Sequence, residues 1–505
     1  MHRLILTLLM LCAPCAARAE WREASTAHFV IYSQQPVDRI RDFATNLERF
    51  DKGMRALRGL SDEPIGKSAR VTVYVVDDTD DVAALIGDRM VAGFYSGRAG
   101  ASLAVVPRIN GAGSDIALKP LAILLHEYSH HFLSSMWPNS ALPAWFIEGF
   151  AEFHATALFN KDGGITFGEV PLYRGVGLMV GNQLPIDKLL IADGWKLRPE
   201  QRDALYGRGW LLTHYLTIGQ PARAGQLGKY IAAINAGTAP AAAATGAFGD
   251  LRTLDKELER YKLGKFPINR LPGPLATGDI AIRHLSAGET ALMKIRIQSK
   301  AGRTKPADLY ADARKAAAPY PNDASAQIIL AGTALDAGDF AGAEAAANRA
   351  IAADPKAIDG WLFKAQAQSL AARKANDWDK DRWAAIRQHI VTANRLDPDN
   401  PRPLIRYFLS FTEARDAPSQ AAEIGLIRAL ALAPQDRGLR FLGAALYLAE
   451  GQAPSARVLL APLAFQPHAP ALAERAQKII SMIDAGKIPA AVADLTGKAK
   501  DADDD

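Results

Sequence analysis

His126-Glu127-Tyr128-Ser129-His130 follows the apolar run Leu121-Ala122-Ile123-Leu124-Leu125, and eighteen residues after the second histidine comes Glu148, within Pro143-Ala144-Trp145-Phe146-Ile147-Glu148-Gly149-Phe150-Ala151-Glu152. Four residues is about one helical turn, so His126 and His130 project from one face and can share a cation, with Glu127 one step round beside a metal-bound water. A catalytic zinc needs three protein ligands and an open position. A second helix carrying Glu148 back toward the histidines supplies the third. Glu152, one turn beyond Glu148, is placed to accept a hydrogen bond from the free ring nitrogen of His126 and fix its tautomer.

Upstream, short β-rich runs alternate with amphipathic stretches: His28-Phe29-Val30-Ile31-Tyr32, a helix from about Val37 to Leu60, then Val71-Thr72-Val73-Tyr74-Val75-Val76. Two further strands, Ala92 to Ser96 and Ser102 to Val106, flank a Gly-rich turn and read as a hairpin at the edge of that sheet. The second of them is expected to border the cleft and to pair with an extended substrate. From Leu118 to about Tyr261 the apolar spacing becomes helical, which adds a helical lobe.

Pro and Gly cluster from Phe266 to Gly278, and beyond them the composition shifts to Ala-rich helix pairs. Pro321, Pro355, Pro398, Pro434 and Pro467 recur at spacings near the period of about thirty-four residues found in tetratricopeptide arrays. The unit Ala331-Gly332-Thr333-Ala334-Leu335-Asp336-Ala337-Gly338-Asp339-Phe340-Ala341-Gly342-Ala343, followed by Ala350 and Asp354-Pro355, resembles a tetratricopeptide repeat, and the resemblance covers roughly Asn322 to Asp484. The longest interval implies an insertion at Lys374 to Asp381. The acidic run Asp501 to Asp505 reads as a solvated tail.

The whole chain of 505 residues is 49% hydrophobic, enough apolar material for two or three packed domains. Its formal charge of +5 comes from scattered Lys and Arg with no basic run to track a phosphate backbone, which argues against a nucleic-acid partner. Arg3, the apolar Leu4 to Leu11 and Ala17-Arg18-Ala19 read as a secretory leader cut before Glu20, which predicts a periplasmic or secreted protein. Both cysteines, Cys12 and Cys15, lie inside that leader, so the mature chain is expected to use no disulfide. No later run is long and apolar enough to span a bilayer, so no stable membrane insertion is expected after cleavage.

The motif H-E-x-x-H followed by W-x-x-E-G-x-A-E resembles the catalytic core of the gluzincin peptidases, the thermolysin-like and aminopeptidase N-like group. That resemblance implies His126, His130 and Glu148 as ligands of one zinc ion per chain and Glu127 as general base. Leu205-Tyr206-Gly207-Arg208-Gly209-Trp210-Leu211-Leu212 is similar to the Tyr-x-x-Gly-aromatic segment of the aminopeptidase N-like enzymes, which implies Tyr206 as the oxyanion stabiliser. His214 is the alternative for that role. The Gly-x-Met-Glu-Asn motif that reads a free N-terminus in those enzymes is absent, so exopeptidase specificity does not carry over. The resemblance is specific over about Leu121 to Trp210 and looser to Ala247-Phe248-Gly249-Asp250-Leu251. The layout as a whole resembles exported bacterial peptidase MA-like proteins.

These observations predict an α+β zincin-like catalytic domain over 20–270, with a small mixed-sheet lobe and a helical lobe, after a leader at 1–19. A linker or transitional segment at 271–321, an all-α tetratricopeptide-like solenoid at 322–484 and a disordered acidic tail at 485–505 are expected to follow. The expected function is zinc-dependent hydrolysis of a peptide or protein substrate, with the repeats as a protein-binding surface. Two rivals are a non-catalytic binding platform and a hydrolase of a non-peptide amide; the helix carrying Glu148 counts against the deformylase arrangement of the same motif.

Overall fold

A computed structural model of the chain describes residues 20–86, 93–100, 102–108, 118–179 and 184–497. The leader, Ala92 of the expected hairpin and the acidic run at 501–505 lie outside the described residues. Strands β1 (Arg22–Ser25), β2 (Phe29–Ser33), β3 (Val71–Val76), β4 (Phe94–Ser96), β5 (Leu103–Pro107) and β9 (Ala281–His284) form one sheet in the order β4-β5-β3-β2-β1-β9. β3 runs parallel to both β2 and β5, while the β4–β5 hairpin and the β1 pairings are antiparallel. β6 (Leu158–Phe159), β7 (Ile165–Phe167) and β8 (Asn269–Leu271) make a second, small antiparallel sheet.

Because successive side chains of a strand point to opposite faces, β3, buried along its whole length, serves two cores at once. Val71, Val73 and Val75 meet helices α1 (Val37–Ala56) and α3 (Pro120–Met136) through Leu47, Phe50, Leu124 and Tyr128. Tyr74 and Val76 meet α2 (Thr79–Ile86) through Val82 and Ile86. Helix α1 stops short of the expected Leu60 because Gly59 adopts φ +61° and lets Leu60 N–H bond back to the Arg55 carbonyl, closing the last turn.

The helical lobe comprises α4 (Ala144–Ala155), α5 (Gly175–Met179), α6 (Ile186–Leu189), α7 (Pro199–His214), α8 (Gln226–Asn235), α9 (Pro240–Phe248) and α10 (Leu251–Tyr261). After it a long run of paired helices resembles tetratricopeptide-like repeats. The pairs are α11 (Ala287–Ala301) with α12 (Pro306–Ala317), α13 (Ala324–Asp336) with α14 (Phe340–Ala353), and α15 (Ile358–Lys374) with α16 (Lys380–Leu396). They continue with α17 (Pro401–Glu413) and α18 (Gln420–Leu432), α19 (Arg437–Ala449) and α20 (Ala453–Ala464), and α21 (Pro470–Asp484) and α22 (Ile488–Thr496). Each of the five recurring prolines falls in the turn before the first helix of a pair, where its missing N–H and fixed φ stop one helix and admit the next. Ala331, Ala334, Ala343, Ala346, Ala347 and Ala350 are fully buried, so small side chains set the close approach of the helices.

Three expectations need correction. The 271–321 segment is not a linker: β9 extends the sheet, and α11 lays Met293 and Ile297 over the face that carries Tyr74. Pro272, Gly273, Pro274 and Gly278 lie in the turn between β8 and β9. The long proline interval holds little inserted loop; α15 and α16 are simply 17 residues each, against 13 and 14 for α13 and α14. The tail begins later than 485, since α22 packs on α19 and α21 and buries Ala491 completely.

The repeats also close onto the α/β region. The Asp436 carboxylate accepts a hydrogen bond from Ala99 N–H at 2.7 Å, Gln435 Nε2 donates to Arg98 O at 3.1 Å, and Arg440 donates to Pro138 O. Ala461 and Phe465 of the repeats pack against the core that contains α3 and α4.

Candidate metal centre

Helix α3 starts with Pro120 at its first position, where the missing N–H has no helical partner to lose, and it runs buried between the sheet and α4. Its H-E-x-x-H segment presents His126 and His130 one turn apart, with their Nε2 atoms 3.1 Å from each other. Helix α4 follows, and every one of its residues is buried between α3 and α7. Its tight crossing with α7 depends on two glycines. A Cβ on Gly149 would stand 2.2 Å from Gly209 O, and one on Gly209 would stand 2.7 Å from Trp145 O. This backbone-to-backbone approach brings Glu148 and Tyr206 to the histidines.

Glu148 is fully buried, and its Oε2 stands 3.4 Å from His126 Nε2 and 3.7 Å from His130 Nε2. Neither carboxylate oxygen receives an aligned hydrogen bond, which is costly for a buried anion and is the condition a cation would relieve. Ligand atoms around a tetrahedral zinc with bonds of about 2.0–2.1 Å lie about 3.3 Å apart. The three separations bracket that value, so these residues fit a zinc ion.

Electrostatics divides the two histidines. Burial opposes charge on His126, but Glu148, Glu152 and Glu127 outweigh it and raise its pKa to about 9. His130 is pushed down to about 3, by burial first and despite Glu148. Burial would raise Glu148, yet His468, His130 and His126 hold it ionised well below the usual carboxylate range. Burial raises Glu127, whose side chain lines a cavity of about 830 Å³ together with His130.

Glu152 faces His126 as expected, with Oε1 3.4 Å from Nδ1, but its stronger partners are Tyr173 and Arg174. The Tyr206 ring lies 5.9 Å from that of His126, and the Arg174 guanidinium covers it at 4.2 Å. His214 is elsewhere. It is packed against Trp210 and Phe266, bonded to the carbonyls of Gly168 and Pro267 and to the Tyr261 hydroxyl, and burial lowers its pKa to about 4. It is a structural residue, so the alternative oxyanion role falls.

Two features were invisible in the sequence. His468, in the turn between α20 and α21, places Nε2 3.0 Å from Glu148 Oε1, without hydrogen-bond alignment, and 3.5 Å from the Tyr206 hydroxyl. The cavity is walled on one side by β4 and on the other by Pro434, Arg437 and Gln466 of the repeats. β4, not β5, is therefore the strand at the cleft; β5 is paired on both edges.

No family model matches the chain, and no curated protein matches it. Among solved structures it is similar to TTC0263, a thermophilic TPR protein of Thermus thermophilus, at 22% identity and TM-score 0.33 over 38% of this chain and 98% of that one. It is also similar to yeast Tom70, at 13% identity and TM-score 0.27 over 74% and 76%. Both are distant likenesses to helical-repeat proteins. The class defined by the fold itself is a mixed α/β region with a six-stranded sheet joined to paired helices of tetratricopeptide-like type. Among the described residues no helix is long and apolar enough to cross a membrane.

Proposed function

We propose that the protein is an exported zinc-dependent peptidase of gluzincin type, with one zinc held by His126, His130 and Glu148. The observation that carries the reading is the buried Glu148 carboxylate, without an aligned donor and facing two imidazole nitrogens at zinc-like spacing, with Glu127 beside it in an open cavity. A bound zinc would supply Lewis acidity and a more acidic water. Glu127 is the group that takes the proton of the attacking water and returns it to the leaving amine, and burial tunes it toward that task by raising its pKa. Glu152 orients His126 from behind, while Arg174 holds Glu152 in place. Tyr206 stays protonated because burial lifts its pKa far above the usual value, so its hydroxyl remains a donor for a developing oxyanion. The paired helices supply the opposite wall of the cleft and a surface for a protein partner.

The test pairs zinc quantification with cleavage profiles of a broad peptide library for wild type and Glu127→Gln. Zinc in both and hydrolysis only in the wild type supports the peptidase. A wild-type chain that binds zinc and peptides but cleaves nothing points to the binding platform.

A further inference from the structure

The cleft that holds Glu127 and His130 carries more positive charge than its own residues neutralise. Arg98, Arg437 and Arg440 line it, against the carboxylates Glu127 and Asp436. Asp436 is already committed: Oδ1 caps helix α19 by accepting from Leu439 N–H at 2.8 Å, and Oδ2 accepts from Ala99 N–H. Arg440 spends its donors on the carbonyls of Pro434, Leu459 and Pro138, none of which offsets its charge. Arg98 donates through Nε to Ser96 Oγ at 3.1 Å and has no carboxylate ion pair among the described residues. Arg437, half-buried in the first turn of α19, makes no hydrogen bond and no ion pair among the described residues.

Guanidinium groups drawn out of water without a counter-ion are unfavourable unless an anion completes them, and the planar fork of arginine suits a carboxylate better than any other common peptide group. Burial lowers the pKa of Arg98, Arg437 and Arg440, in keeping with that desolvation. Arg98 lies between β4 and β5, its carbonyl accepting from Gln435 two residues before Arg437, so one arginine from the sheet and one from the repeats line the same cavity.

We propose that Arg437 and Arg98 form a carboxylate-recognition subsite, so that this cleft takes peptides bearing an Asp or Glu side chain or a free C-terminal carboxylate near the metal centre. The proposal rests on the peptidase reading for its substrate class. Its residues come from both halves of the chain, which makes the repeats part of substrate selection.

The probes are blocked alanine-rich peptides carrying one Glu or its Gln isostere, and unblocked counterparts ending in a free carboxylate or an amide. Their binding to full-length, zinc-loaded Glu127→Gln is measured by calorimetry, with circular dichroism and zinc content as controls for folding. A carboxylate-bearing peptide is expected to bind about tenfold tighter than its neutral isostere, the range of a charge-assisted bidentate pair. A preference confined to Glu over Gln identifies a side chain as the source, and one confined to acid over amide identifies the terminus; either supports the subsite. Arg437→Gln and, independently, Arg98→Gln should abolish the preference, Arg437→Lys should keep part of it, and Arg437→Glu should favour a Lys-bearing peptide. Equal affinity for acid and isostere, or no binding of any of these peptides, overturns the subsite. Carboxylate-dependent binding without turnover by the wild type would leave the subsite standing and remove the peptidase. Cleavage indifferent to carboxylates would do the reverse.

Discussion

His468 Nε2 lies 3.0 Å from Glu148 Oε1, which joins a turn of the last helix pairs to a buried carboxylate of the α/β region. The contact makes the repeats part of the candidate centre. A chain ending at Pro321 removes His468 and Arg437 together and is expected to lose peptide turnover, whereas His468→Ala, which removes the neighbour of the ligand Glu148, should lower kcat by about ten- to a hundredfold, the usual effect of losing a group that supports a metal ligand. Steady-state kinetics of both variants checks this. Turnover equal to wild type in the truncated chain would show His468 idle.

Metal content should separate ligands from the base. One zinc per chain is expected for wild type and Glu127→Gln, and less than about a fifth of that for His130→Ala, since losing one of three ligands leaves an incomplete site. Glu148→Gln should weaken zinc retention as well as turnover. Elemental analysis after zinc repletion and dialysis decides each case.

The α4–α7 crossing gives a prediction about stability. Gly149→Ala must push Gly209 O and Thr213 Oγ1 away from contacts of 2.2 and 2.4 Å, so it should cost about 1–3 kcal/mol, as overpacking does, and loosen zinc by displacing Glu148. Gly228→Ala is the control: nothing lies within 4 Å of the added methyl, and alanine favours the helix by up to about 1 kcal/mol. Chemical denaturation of both variants provides the comparison.

A buried ion network behind α3 predicts a pH dependence. Burial opposes the charge on His28, but Glu48, bonded at 2.9 Å, and Asp51 raise its pKa above the usual 6.5. Burial likewise opposes ionisation of Glu48, yet His28 and Thr26 lower its pKa below 4.5. The His28 contribution to stability is full below 6.5 and is lost as pH rises through the raised value; that of Glu48 is full above 4.5 and is lost as pH falls through the depressed one. The difference in Tm between wild type and His28→Gln should therefore be largest between those two pH values and shrink on the alkaline side. A flat difference across that range would show His28 and Glu48 uncoupled.

What the sequence made legible was short-range. His126 and His130 lie one turn apart on one helix, so helical periodicity alone puts them on one face, and Glu148 opens to them from the very next helix; the largely apolar Val71–Val76 strand announces its own central position. His468 and Arg437 had no such signal. Their approach depends on the summed curvature of several helix pairs, to which no local spacing corresponds. The 271–321 segment was misread because Pro and Gly mark a turn between strands as readily as a linker; Ile282 and Met293 are ordinary apolar residues until β1 and α2 stand beside them. The acidic run coloured the reading of α22, although the apolar residues that bury its face precede that run.

Helix α11 covers one face of the sheet, and the turn bearing His468 rests on the candidate centre. A helical superstructure fastened at one end flexes like a free spring; this one is fastened at both. Winding or unwinding of the stack is borne by its contacts with the α/β region, among them Met293 and Ile297 over Tyr74, Asp436 on Ala99 and His468 beside Glu148. The wall of the cleft and the foot of the helical stack therefore share the same contacts.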